Sequence, residues 1–159
     1  MLDTTSRTWA LAILFIAMMA IGYSFSFIEA ASGGPLLDSL LSGAEAKARL
    51  MEMTAEQKTA HFWGTVLNDT LYPFAYGGLF AGLVWRFAGT FRKWMVMPAL
   101  AAGLVDLAEN TTQALALAGN DAFIGLKDIL TPPKFGLVLL AIVLVLVSVV
   151  IALVRRVRS

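Results

Sequence analysis

The chain has 159 residues, 58% of them hydrophobic and 14% charged, with a formal net charge of +1. Soluble domains are nearer to about 45–50% apolar and about a quarter charged, so the composition excludes an ordinary soluble domain and predicts burial in a bilayer. The charge balance leaves no basic surface for nucleic acid. The absence of cysteine excludes disulfides and thiolate metal sites, and one histidine, His61, argues against bis-histidine haem and histidine-zinc centres.

Four stretches are long enough to cross a bilayer core, which takes about 20 apolar residues as a helix. They are residues 9–31, 62–87, 94–119 and 135–154. The first carries no charge between Ala10 and Ile28. Arg7 ahead of it and small residues at Ala30, Ala31 and Ser32 also fit a cleaved leader, but the apolar run is long for one. Ser32-Gly33-Gly34-Pro35 then ends the helix, and residues 32–61 form a connector polar enough to leave the membrane. Ser42 with Glu45, and Thr54 with Gln57, have capping-box spacing and predict short helices starting there. Leu36, Leu37, Leu40 and Leu41 could lie flat on a leaflet, but the stripe is short, which favours a connector packed on the helix ends.

The second span contains Pro73, which frees the carbonyl of Asp69 four positions earlier. Freed backbone in hydrocarbon must find another donor. Gly78 and Gly82, with Ala99 and Gly103 in the third span, predict close packing of these two helices. Residues 120–131 read as a short loop, with Thr131 as N-cap and Pro132 at the first helical position. The fourth span is nearly featureless, with Ser148 its one polar residue, and reads as a lipid-facing wall.

Lysine and arginine set the expected orientation. Arg7, Arg86, Arg92, Lys93, Arg155, Arg156 and Arg158 fall on one side of four spans, with Trp9, Trp85 and Trp94 at that interface. On the other side acids dilute the cations. Both termini are therefore expected in the cytoplasm, Trp63 at the outer interface, and residues 1–159 as one all-α domain. That domain is expected to be a multi-pass, four-helix integral membrane bundle.

The informative feature is polar. A carboxylate at mid-bilayer costs about 2.5–3.5 kcal/mol on insertion scales, so intramembrane acids normally face protein, a partner or water. Asp69, Tyr72 and Tyr76 recur at i, i+3 and i+7, and Asp106, Glu109, Asn110 and Gln113 at i, i+3, i+4 and i+7, so each set lines one helical face. At about 1.5 Å per residue, Asp69 lies roughly 12 Å, Gln113 roughly 9 Å and Glu109 roughly 15 Å in from the outer end. Antiparallel helices then put Asp69 and Tyr72 level with Glu109 to Gln113, and Tyr76 level with Asp106. Tyr23, Ser24 and Ser26 join from the first span, Glu29 lies near the outer rim, and Lys134 is the nearest cation.

The signatures D-x-x-Y-P-x-x-Y-G (Asp69, Tyr72, Pro73, Tyr76, Gly77) and D-x-x-E-N (Asp106, Glu109, Asn110) resemble those of a group of uncharacterised bacterial four-helix integral membrane proteins. The resemblance covers about residues 62–135, implies the four-helix fold and implies no activity.

Three readings of the cluster stand. It can be a packing network or assembly interface of a structural or accessory subunit. It can bind or process an amphiphile such as a lipid or isoprenoid: Asp69, Asp106 and Glu109 are then the candidate acid–base groups, and Tyr72, Tyr76, Asn110, Gln113, Lys134 and Tyr23 line the ligand. It can also carry protons or cations, using Asp106 or Glu109; a chain without inverted repeats would then act as a dimer. Interhelical polar bonds are worth only about 0.6–2 kcal/mol, which makes three acids costly as glue alone. No cofactor and no metal is expected, since the acids lack a tight metal-binding repeat. Expected partners are membrane lipids and a second copy or a larger membrane complex.

Overall fold

The apolar run that follows Arg7 winds into a 24-residue helix because nothing in it breaks the backbone pattern. The computed structural model describes residues 2–158. A short helix α1 (Leu2–Thr5) precedes α2 (Thr8–Ala31). The chain leaves α2 through Gly33, whose φ of +73° is open to glycine at little cost. A 3₁₀ turn (Leu37–Ser39) leads to α3 (Gly43–Glu52) and α4 (Ala55–Trp63). Both expected capping boxes form: the Ser42 hydroxyl accepts from the Glu45 N–H, the Thr54 hydroxyl accepts from the Gln57 N–H, and each N3 side chain returns the bond.

α4 runs without a break through a π-helical stretch (Gly64–Asp69) into α5 (Thr70–Phe87). A 3₁₀ turn (Gly89–Phe91) and α6 (Arg92–Met95) then reverse the chain into α7 (Met97–Leu117). A last 3₁₀ segment (Asp121–Leu126) enters α8 (Lys127–Arg158). No strand occurs among the described residues. α2 and α8 are long and apolar enough to cross a membrane, and both leave most of that surface uncovered. α5, α7 and the first turns of α8 carry most of the buried polar residues.

α5 packs against α2, α7 and α8, and α7 packs along α8. The connector closes one end of the long helices. Its Leu37, Ala46, Leu50 and Met53 form a buried cluster with Ala116, Leu117 and Ile124, so the leucine stripe packs on protein, and only Leu41 stays exposed. Gly43 N–H donates to Asp128 Oδ1 at 2.8 Å, tying the connector to α8. The basic residues gather at the opposite end. There Arg86 donates to the Thr8 hydroxyl at 2.9 Å, Trp85 donates to Asp3 at 2.8 Å, and Arg92 lies 4.3 Å from the Trp85 ring centre.

Two expectations are corrected. Gly78 and Gly82 face the N-terminal helices rather than α7: a Cβ at Gly78 would meet Leu14 at 3.3 Å, and one at Gly82 would meet the Thr5 carbonyl at 2.8 Å. On α5 the approach to α7 uses Gly77 instead, against the Ala99 carbonyl, while Gly103 of α7 meets the Pro73 carbonyl as the expected partner position. One residue rotates a helical position by about 100°, enough to change the neighbour. Thr131 is also not an N-cap. α8 begins at Lys127 and holds Pro132 and Pro133 inside its early turns.

His61 sits in this closing layer, one residue before the second apolar stretch, and is 1% exposed. Its Nε2 accepts from the Leu37 N–H at 3.3 Å, a bond that needs the neutral ring. Burial, reinforced by the charge of Arg49, lowers its pKa from 6.5 to about 4. Between these values an unfolded chain takes up a proton that the folded one refuses, so stability falls as pH drops from about 6.5 towards 4. The thermal midpoint of wild type is expected to decline over that window more steeply than that of His61→Gln, which keeps an acceptor but does not titrate. Parallel pH profiles for the two would show that the folded chain protonates His61 as readily as the unfolded one.

Candidate functional site

Pro73 starts the site. Its missing N–H leaves the Asp69 carbonyl without the usual i+4 donor, and the preceding turn is wound as π-helix. The Asn110 side chain of α7 supplies the replacement, its Nδ2 donating to the Asp69 carbonyl at 2.8 Å. That bond fixes the register of α5 on α7. One turn further along, the Tyr76 hydroxyl donates to Asp106 Oδ2 at 2.9 Å, as the helical levels require.

Glu109 is the centre of the polar cluster and is fully buried. Its Oε1 accepts from the Thr131 hydroxyl at 2.9 Å, from Gln113 Nε2 at 3.3 Å and from Lys127 Nζ. Its Oε2 lies 2.8 Å from Lys134 Nζ. Lys127 and Lys134 are themselves 0% and 3% exposed, so each ammonium needs these oxygens. Lys134 also pairs with Asp38 of the Leu37–Ser39 turn and stands 3.6 Å from Asp106 Oδ1. Oxygens of Asp38, Asp106 and Glu109 lie within 4.8 Å of one another, a spacing a metal ion could bridge. Here the Lys134 ammonium is the cation they share.

Two cavities open beside this cluster. One, of about 330 Å³, lies between α2, α5 and α8. Its polar end is Asp38, Asp106, Lys134, Tyr72 and Tyr76, and its walls are Met18, Phe80, Phe135, Val138 and Ile142. The other, of about 230 Å³, lies at the connector end and holds Glu29, Asp38 and Asp69. Tyr72 is half-buried, set edge-on to Phe25 and Tyr76 with ring centres 5.4 and 5.5 Å apart.

The structure thus brings together Asp69, Tyr72, Tyr76, Asp106, Glu109, Asn110, Gln113 and Lys134. Tyr23 is not among them. It is 71% exposed and turned edge-on to Phe27, because the inward face of α2 at this level is Gly22 and Phe25. Ser24 does reach inward and accepts from Asn68 Nδ2 at 2.7 Å, while Ser26 bonds to the Tyr23 carbonyl of its own helix. Three participants escape the sequence reading: Asp38, Lys127 and Thr131. For two of them a signal existed. Lys127, Thr131 and Lys134 recur at i, i+4 and i+7, one helical face, which the Pro132-Pro133 pair disguised as a loop end.

Comparison of the chain with protein-family models, with curated proteins and with solved structures gives no match. The functional argument therefore rests on the geometry of the site.

Proposed function

We propose that this chain is a four-helix integral membrane protein of a bacterial plasma membrane, with both termini cytoplasmic, that binds an amphiphile from the outer half of the bilayer. The cavity of about 330 Å³ between α2, α5 and α8 carries the reading. One end offers two carboxylates, an ammonium and two phenols, and the rest is apolar wall on helices whose outward faces are also apolar. A polar head and a hydrocarbon tail match such a division, and the volume falls within the about 300–1,000 Å³ usual for small-molecule sites. The gathering of arginines and tryptophans at the opposite end supports the orientation.

The acids divide by task. Glu109 takes three hydrogen bonds on Oε1 and faces the Lys134 ammonium with Oε2, so it serves as the anchor of the cluster, which favours the packing-network reading for this residue. Asp106, with Tyr76, reaches the cavity and is the acid placed to meet a ligand or move a proton to it. Gently extracted protein is expected to retain a bound amphiphile by native mass spectrometry, and Asp106→Asn to lose most of it. Wild type that flies clean from lipid-rich extracts would remove the proposal.

A further inference from the structure

We infer that the amphiphile carries an ammonium head group, seated against Asp69 in the cavity between α2 and the Leu37–Ser39 turn. This deepens the preceding reading and rests on it.

The cavity of about 230 Å³ is lined by Phe25, Glu29, Leu36, Asp38, Ser39 and Asp69. It adjoins the apolar-walled cavity through Asp38, which lines both. A tail lying along Phe80 and Val138 can therefore place its head beside Asp69.

The neighbouring acids already have partners. Asp38 has Lys134; Asp106 has the Tyr76 hydroxyl on Oδ2 and Lys134 as an ion-pair neighbour 3.6 Å from Oδ1; Glu109 has three hydrogen-bond donors on Oε1 and the Lys134 ammonium beside Oε2. Asp69 differs. It is 6% exposed and lines the cavity, yet its carboxyl group makes no hydrogen bond or ion pair among the described residues. Its backbone carbonyl, not its side chain, is what Asn110 uses. A buried acid with no partner is an unmet demand for a donor or a cation.

The formal charge count favours a cation. Glu29, Asp38, Asp69, Asp106 and Glu109 are five acids, against the two ammonium groups of Lys127 and Lys134. The next cation, Arg49, donates to the Ser32 and Pro35 carbonyls and has its own counter-ion in Glu52. A phosphate or carboxylate head would add another anion to this excess. An ammonium offsets it, and the Phe25 ring at the same wall suits a cation.

Three single-chain probes of equal length separate the possibilities: octylammonium, octyl phosphate and octanol, each added to the detergent-solubilised full chain and followed by the shift in thermal midpoint. Octylammonium is expected to bind at least ten-fold more tightly than octyl phosphate at neutral pH. Asp69→Asn should cut octylammonium binding about ten-fold and leave octanol unchanged. Glu29→Gln, at the exposed rim, should weaken it several-fold without touching the fold, so the wild-type preference and this variant decide the matter even where Asp69→Asn does not fold. Octyl phosphate binding as well as octylammonium, or an ammonium affinity indifferent to both variants, overturns the head-group assignment and leaves amphiphile binding in place. No shift with any of the three overturns both.

Discussion

Replacing Glu109 by glutamine is expected to destabilise the protein by about 3–5 kcal/mol, the usual cost of removing one partner from a buried ion pair. The reason is less the lost attraction than the charge left behind. Lys127 is fully buried, and among the described residues Glu109 is its one ion-pair partner. Lys134 would keep Asp38 and Asp106. The cost should therefore fall when Lys127 is neutralised too: Lys127→Met alone is expected to be severe, and Glu109→Gln with Lys127→Met milder than the sum of the singles. Thermal unfolding of the four proteins in one detergent gives the coupling, expected near the upper part of the roughly 0.5–3 kcal/mol seen for contacting residues. Simple additivity would mean the two groups do not share an energetic bond. Asp106→Asn in the same series is the contrast. It keeps the shape and an acceptor for Tyr76, and should cost far less.

Asn110→Ala carries the second large effect. An average interhelical hydrogen bond in a membrane protein is worth only about 0.6 kcal/mol, because the separated helices satisfy their groups elsewhere. The Asp69 carbonyl lacks that recourse, since Pro73 took away its helical donor. Orphaning it costs the desolvation of the group, about 1–3 kcal/mol. Pro73→Ala tests the mechanism by restoring an N–H at position 73. In that background Asn110→Ala should lose most of its effect. An equal loss with or without the proline would mean that Asn110 acts by packing alone, and its bond to Asp69 would carry no special weight.

The site was legible where it sits on uninterrupted helices. Spacing alone set Tyr76 level with Asp106, named Lys134 as a cation beside the cluster though Lys127 lies nearer to Glu109, and marked the Asp69 carbonyl as needing a donor. It failed at the edges. Asp38 lies in a three-residue turn with no period to read, and its place beside Lys134 depends on how the connector folds back. Lys127 and Thr131 were hidden because a Thr-Pro-Pro run is a strong helix-start signal, and here tertiary pairing with Glu109 extends the helix through it. Tyr23 was misplaced for another reason. In a helix apolar on all sides, hydrophobic period cannot say which face turns inward, and a tyrosine serves on either.

The pairing of Glu109 with Lys127 spans only 18 positions. With Gln113, Thr131 and Lys134 added, nearly everything that compensates this glutamate comes from one helical hairpin, α7 and α8. Closing so short a loop costs little chain entropy. The final hairpin therefore carries its own counter-ions for Glu109 while it is being made, and the earlier part of the chain adds Asp38 beside Lys134 and Tyr76 on Asp106. Assembly can run in two steps: a self-neutralised hairpin first, then its docking onto α5 through Asn110 and Tyr76.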